Sequence, residues 1–389
     1  MIETNSLNHL LESDFFTESE ILGQPDLWLK LFKDFQSIKC DLKNYLDKIL
    51  DDNEIRIILT GAGTSAFIGD VLLGAFNKSF QNPVSAIPTT DLITHPELYL
   101  NKSNKYLLIS FARSGNSPES SQAILLTEDL SKQTYHILIT CNNESDLIKT
   151  VSGKNHFTFL MPPEADDRGL AMTGSFTTML LAGLLITRIY NDEDLEGQFN
   201  LLYTYGNKIL NEYAKDIKQV TTYDFKRAVF LGSGMLKGIA RESHLKLQEL
   251  TDGKVICKYD SFMGFRHGPK AIVGEDTLIA YLFSNNKHVN LYEVDLVNAN
   301  VSGRKNLFSI GIMEQEIKVP GIDLQIVLSD NGKYIQEDFL TVVSVLPAQL
   351  LGFYKSLNLG LNPDSPSKSG MIHRVVQGVK IYPYNNGIE

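Results

Sequence analysis

Apolar positions along the chain follow two rhythms in turn. From Asp26 onward, Leu27, Leu31, Phe35, Ile38, Leu42, Tyr45 and Ile49 recur at threes and fours, the period of an amphipathic helical arm. "GQP" (23–25) interrupts the chain just before it, and the spacing of Thr17 and Glu20 predicts a capping box on a shorter helix upstream. Then the period changes. "IRIILTGAGTSAFIGDVLLGAF" (55–76) is a continuous β-rich apolar run, a G-x-G turn and a helical stretch. "KYLLISFARSGNSPESSQAILL" (105–126) repeats that plan, and "HILITCNNESDLI" (136–148) supplies another strand and turn. Strands alternating with helices predict a parallel sheet covered on both faces.

The plan restarts at "RAVFLGSGMLKGIARESHLKLQEL" (227–250), again strand, G-x-G and helix, with 171 residues separating Gly61 from Gly232. Apolar runs at 277–283 and 324–328 read as further strands, and "LTVVSVLPAQLLGFYKSL" (340–357) as an apolar helix despite Pro347. The acidic "NDEDLEGQFN" (191–200) reads as a connection, and the Pro- and Ser-rich "GLNPDSPSKSGMIHRVVQ" (360–377) as an irregular tail. A two-fold repeat of an α/β unit is the simplest organisation.

Composition adds limits. A chain of 389 residues with 43% hydrophobic and 21% charged positions fits two ordinary soluble domains. The net charge of −10 argues against broad nucleic-acid binding but leaves a local anion site open. Cys40, Cys141 and Cys257 lie far apart without metal-like spacing, which predicts free thiols in a reducing cytoplasm. The polar start "MIETNSLNHL" shows no signal-peptide pattern. "MLLAGLLI" (179–186) falls far short of the ~20 residues a membrane span needs, so no membrane is expected and this segment reads as a buried helix.

In open α/β sheets, ligands sit beyond the carboxyl ends of the strands, where helix N-termini offer unsatisfied N–H groups and positive dipole ends. Thr64 and Ser65 at one such turn, with Ser114 and Ser117 at the next, have the composition to surround a phosphate. One hydroxyl turn alone reads as a plain N-cap. Two at successive strand ends favour the phosphate. GxxxxGK[ST] is absent, and "GAGTSAFIG" fits a dinucleotide fingerprint only in part, so no nucleotide cofactor is expected. In the second repeat, Glu242, Lys246 and Glu249 fall on one helical face. A solvated Glu–Lys pair with that spacing contributes only about 0.2–0.5 kcal/mol. The functional reading is a carboxylate base beside a lysine that manages charge on a neighbouring oxygen. His267, on the Gly-Pro turn of "FRHGPKAIV" (265–273), is suited to moving protons near neutral pH. The other histidines have no ligand spacing, and no metal is assigned.

In this order, "GAGTS" (61–65), "ARSGNS" (112–117), "AMTGSFTT" (171–178), "ESHLKLQEL" (242–250) and "RHGP" (266–269) resemble the double SIS (sugar isomerase) family. Most of residues 50–389 are similar to the isomerase domain of glucosamine-6-phosphate synthase, without its glutamine-hydrolysing domain. "EILGQPDLW" (20–28) and "NPDSPSKSGMIHRVV" (362–376) narrow the resemblance to the bacterial AgaS group of tagatose-6-phosphate ketose/aldose isomerases, linked to galactosamine-6-phosphate deamination.

The resemblance implies a helical arm over 1–50, a phosphate-binding SIS unit over 51–205, and a catalytic SIS unit over 206–389 that includes the tail. It implies a homodimer or higher oligomer whose sites are shared between subunits. Ser65, Ser114 and Ser117 match phosphate ligands, with Thr64 and Arg113 in the same turns. Ala171, Met172 and Thr173 match a sugar-contacting segment. Glu249 matches the proton-transferring carboxylate, Glu242 and Lys246 its supporting pair, and His267 the ring-opening histidine. Lys368 is the candidate tail lysine, with His373 or Arg374 as substitutes. The implied reaction is deamination of galactosamine-6-phosphate. Isomerisation of a neutral hexose-6-phosphate and non-catalytic sugar-phosphate sensing are the alternatives.

Overall fold

The computed structural model describes residues 14–191, 194–303, 305–330, 332–376 and 378–384. Two helices open the described chain, α1 (Phe16–Leu22) and α2 (Gln24–Leu50). Gly23 ends the first, and Pro25 sits in the first turn of the second, where its missing N–H costs nothing. Contacts divide the chain into two compact units, each discontinuous in sequence. A first-sheet unit comprises 30–166, 178–193 and 372–389, and a second-sheet unit comprises 1–29, 167–177 and 194–371.

The first sheet is built from β1 (Ile55–Thr60), β2 (Val84–Ala86), β3 (Lys105–Ala112), β4 (Gln133–Thr140) and β5 (His156–Leu160). All neighbours are parallel, in the order β2-β1-β3-β4-β5. The intervening helices are α3 (Thr64–Ser79), α4 (Thr89–Thr94), α5 (Pro118–Asp129) and α6 (Asp146–Val151), followed by α7 (Gly174–Thr187). The central strands are buried on both faces, which is why they read as unbroken apolar runs rather than alternating ones. Ile58, Leu92, Leu108, Ile124 and Leu138 form the core on one side of this sheet.

Next come α8 (Leu195–Lys208) and α9 (Ala214–Val220). The second sheet then follows with β6 (Arg227–Gly232), α10 (Met235–Leu250), β7 (Ile256–Asp260), α11 (Phe262–Phe265), β8 (Thr277–Leu282), α12 (Lys287–Val301), β9 (Phe308–Met313) and β10 (Leu324–Val327). Its order, β10-β9-β8-β6-β7, matches that of the first sheet when counted from its own first strand. The repeat extends to the backbone of the turn: Gly63 and Gly234, 171 residues apart, both have φ of +55°. At Gly61 an added Cβ would lie 2.7 Å from the Ser65 backbone, and at Gly232 it would strike the Leu236 carbonyl. Each G-x-G thus lets the following helix start tight against its strand.

Four local expectations need correcting. Thr17 does not cap α1, because Phe15 occupies the N-cap position and makes no side-chain cap bond. Most of 191–200 is helix: Leu195, Phe199 and Leu202 are buried at helical spacing on α8, while 192–193 lie outside the described residues. The apolar stretch around Pro347 is two helices, α13 (Glu337–Ser344) and α14 (Leu346–Asn358), with the proline in the first turn of the second. The strands β2, β5, β7 and β9 add to those expected from the sequence. Among the described residues, the helical stretch 337–358 is long and apolar enough to cross a membrane, yet it is almost wholly buried within the protein, as a core helix would be. The described tail beyond Asn358 contains neither helix nor strand, as expected.

Candidate active site

In the first-sheet unit, the turns after β1 and β3 leave adjacent strands, since Thr60 pairs in register with Ser110. Thr64 and Ser65 open α3 and are both buried. Ser117 stands at the N-cap of α5 in extended backbone, yet its side chain makes no capping bond. That contrasts with Ser145, Ser261 and Asn286, which do cap the helices that follow them. Capping therefore does not account for the Ser117 hydroxyl. The loop between is fixed from the β4–α6 connection: Asn142 Nδ2 donates to the Ser114 carbonyl at 3.0 Å and Leu147 N to the Gly115 carbonyl at 2.9 Å. Gly115 has φ of +63°, and a Cβ there would lie 2.6 Å from that of Ser145. Only glycine fits this turn. Arg113 is buried, and its Nη2 donates to the Arg374 carbonyl at 2.5 Å.

In the second-sheet unit, α10 brings Glu242, Lys246 and Glu249 together. Lys246 Nζ lies 3.2 Å from Glu242 Oε1 and 2.9 Å from Glu249 Oε2. The Glu242 and Lys246 side chains are 0% and 1% exposed, while that of Glu249 is 25% exposed. The face is therefore sealed at two positions and open at the third, unlike a solvated ion pair. Burial acts to lower the Lys246 pKa, but the two carboxylates outweigh it and raise the pKa above the usual lysine value. The lysine stays charged. His267 is exposed just before the short 3-10 turn Gly268–Ile272. Lys368 is exposed in this unit's tail segment, and His373 is exposed in the first-sheet unit. Among the described residues, no three His, Cys, Asp or Glu side chains gather as metal ligands.

Thr173 is fully buried, and its hydroxyl donates to Asp167 Oδ1 at 3.0 Å. Asp167 also accepts from the backbone N–H groups of Thr173, Gly174 and Ser175, making it the carboxylate cap of α7. Sequence reasoning missed this residue. Its signal was an aspartate shortly before the T-G-S that opens an apolar helix.

Beside it, Glu20 accepts from Arg168 N at 2.5 Å and Gly169 N at 3.3 Å, while its other oxygen is buried without a partner. Burial, then repulsion from Asp167, pushes Glu20 up to about 7. A carboxyl raised in the folded state contributes stability that is fully present below its unfolded pKa, near 4.5, and lost as pH rises through about 7. That loss is about 3 kcal/mol at most. Glu20→Gln is therefore expected to flatten the fall in unfolding free energy between pH 5 and pH 8. Urea titrations showing the same fall as in the parent would contradict this.

The SIS domain matches residues 49–188. The chain is 39% identical to the D-galactosamine-6-phosphate deaminase AgaS of Escherichia coli, covering 95% of this chain and 96% of that protein. It is 38% identical to the protein of the same name from Shewanella sp. (strain ANA-3), covering 95% and 92%. The solved structure of tagatose-6-phosphate ketose/aldose isomerase from Escherichia coli superposes with a TM-score of 0.87 at 37% identity, over 95% of this chain and 97% of that one. The chain belongs to the SIS-domain family, in the group that contains these AgaS proteins.

Proposed function

We propose that this chain is a sugar-phosphate enzyme that converts galactosamine-6-phosphate to tagatose-6-phosphate and ammonia. The observation that carries the reading is the sealed Glu242–Lys246 pair, which leaves the Glu249 carboxylate as the one member of the cluster open to solvent. The names of the AgaS relatives support the substrate. Ser65, Ser114 and Ser117, with Thr64 beside them, hold the phosphate, and residues 171–173 and Lys368 border the sugar. His267 moves the ring proton and exposes the C1 aldehyde. Glu249 removes the proton from C2, giving an enolamine, and returns one to C1. The resulting ketimine at C2 adds water and expels ammonia. Lys246, oriented by Glu242, stabilises the negative charge that develops. No step calls for a metal or nucleotide.

The exposure of His267 suits a site completed in a homodimer or higher oligomer. The unbridged cysteines suit a reducing cytoplasm. A second reading, isomerisation of a neutral hexose-6-phosphate, is favoured by the name of the structural relative from Escherichia coli.

Incubation with galactosamine-6-phosphate is expected to release ammonia and tagatose-6-phosphate in equal amounts. No ammonia, with interconversion of neutral sugar phosphates, would replace the deaminase reading with the isomerase one. Ser117→Ala is expected to raise KM roughly tenfold, the loss of one charge-assisted hydrogen bond, with a smaller effect on kcat. An unchanged KM would remove Ser117 from the phosphate site.

A further inference from the structure

We infer that Arg113 is a positioning residue that ties the C-terminal tail to the phosphate turn rather than a ligand of the phosphate itself. The inference rests on the reading of Ser114 and Ser117 as phosphate ligands. Arg113 stands between β3 and those serines, yet it is only 6% exposed, whereas Ser114 and Ser117 are half-buried. One corner of its guanidinium is committed to the Arg374 main-chain carbonyl at 2.5 Å, an acceptor that cannot move unless the chain moves with it.

The same tail residue is held a second time, by its own guanidinium on Asp166 Oδ1 at 2.5 Å. Farther along, Tyr384 donates to Glu97 Oε2 at 3.2 Å and packs on the core under the first sheet. All these partners belong to the first-sheet unit. Arg374 is thus held twice, by Arg113 on its main-chain carbonyl and by Asp166 on its side chain.

Nη2 makes this bond from the end of a rigid, planar, permanently charged group, whose fixed donor direction a flexible lysine ammonium does not reproduce. Because Arg113 and Ser114 are consecutive, phosphate held at the turn and tail held at Arg374 share one piece of backbone. By linkage, each stabilises the other.

Arg113→Lys keeps the charge and removes the planar group. In the full-length protein without ligand, trypsin is expected to cut at Lys380 at least about fivefold faster in this variant, because local release of the tail exposes the site. Inorganic phosphate is expected to slow that cut in the parent protein and not in the variant. With galactosamine-6-phosphate as substrate, KM is expected to rise about tenfold while kcat changes by less than about threefold. Asp166→Asn removes the second clamp. The double variant Arg113→Lys/Asp166→Asn is expected to match Arg113→Lys alone, since both act on one attachment.

Unchanged cleavage in Arg113→Lys overturns the inference, and so do fully additive KM effects, which would place Arg113 on the phosphate. The cleavage measurement needs no turnover, so failure of the proposed reaction is distinguishable from failure of the clamp.

Discussion

Glu249→Gln is expected to lower kcat by about a thousandfold, within the 10²–10⁴ range that one positioned acid–base group contributes. Glutamine keeps the size of the side chain, and its amide oxygen can still accept from Lys246 Nζ, which lies 2.9 Å from Glu249 Oε2. What it lacks is a basic oxygen to take the C2 proton. Its neighbours are sealed from solvent, so no other member of the α10 cluster can take over the transfer. The serines proposed to hold the phosphate are on other elements, and KM for the sugar phosphate is therefore expected to change by less than about threefold. Steady-state kinetics with a coupled ammonia assay reads both quantities. More than a tenth of parental turnover would exclude Glu249 as the base.

Lys246→Met is expected to destabilise the protein by about 3–5 kcal/mol, the range for removing one partner of a buried ion pair. Lys246 lies between two carboxylates, and the Glu242 side chain is wholly inaccessible to water. Without the ammonium, Glu242 must be buried as an uncompensated charge or take up a proton. The loss should therefore shrink toward pH 4, where carboxylates neutralise more cheaply. The intact lysine follows the opposite acid–base logic: its pKa is raised on folding, so its contribution is present throughout the neutral range and is lost only above pH 10.5. Adding Glu242→Gln to Lys246→Met removes the orphaned charge and is expected to recover about half of the deficit. Urea unfolding of the single and double variants tests this. A single-variant loss below about 1 kcal/mol would mean that water reaches the pair.

Much of the repeat was legible because parallel strands covered on both faces must be continuously apolar, and G-x-G marks where each first strand turns into its helix. Spacing placed Glu242, Lys246 and Glu249 on one face, but it could not distinguish a buried face from a solvated one. That distinction depends on what packs over α10, and distant parts of the chain supply the packing. The misread capping box has the same origin. The S/T-x-x-E pattern at Thr17 and Glu20 is local, whereas the group that accepts from the first N–H groups of α1 is Asp364, 347 residues beyond Thr17. Pro347 could have been read correctly, since a proline in a helical pattern more often opens a helix than sits within one. Arg113 shows a further limit: the sequence places it in the hydroxyl turn, but its acceptor lies in a distant tail without regular structure.

The bond from Asp364 to the start of α1 also orders events on the ribosome. At about 5–20 residues per second, roughly 20–70 s separate the synthesis of Thr17 from that of the carboxylate that caps its helix. Throughout that interval the seven-residue α1 lacks its long-range cap and is too short to be stable alone. The second-sheet unit therefore cannot close until its late Asp364 segment reaches its earliest one, whereas residues 30–166 of the first-sheet unit emerge as one uninterrupted stretch.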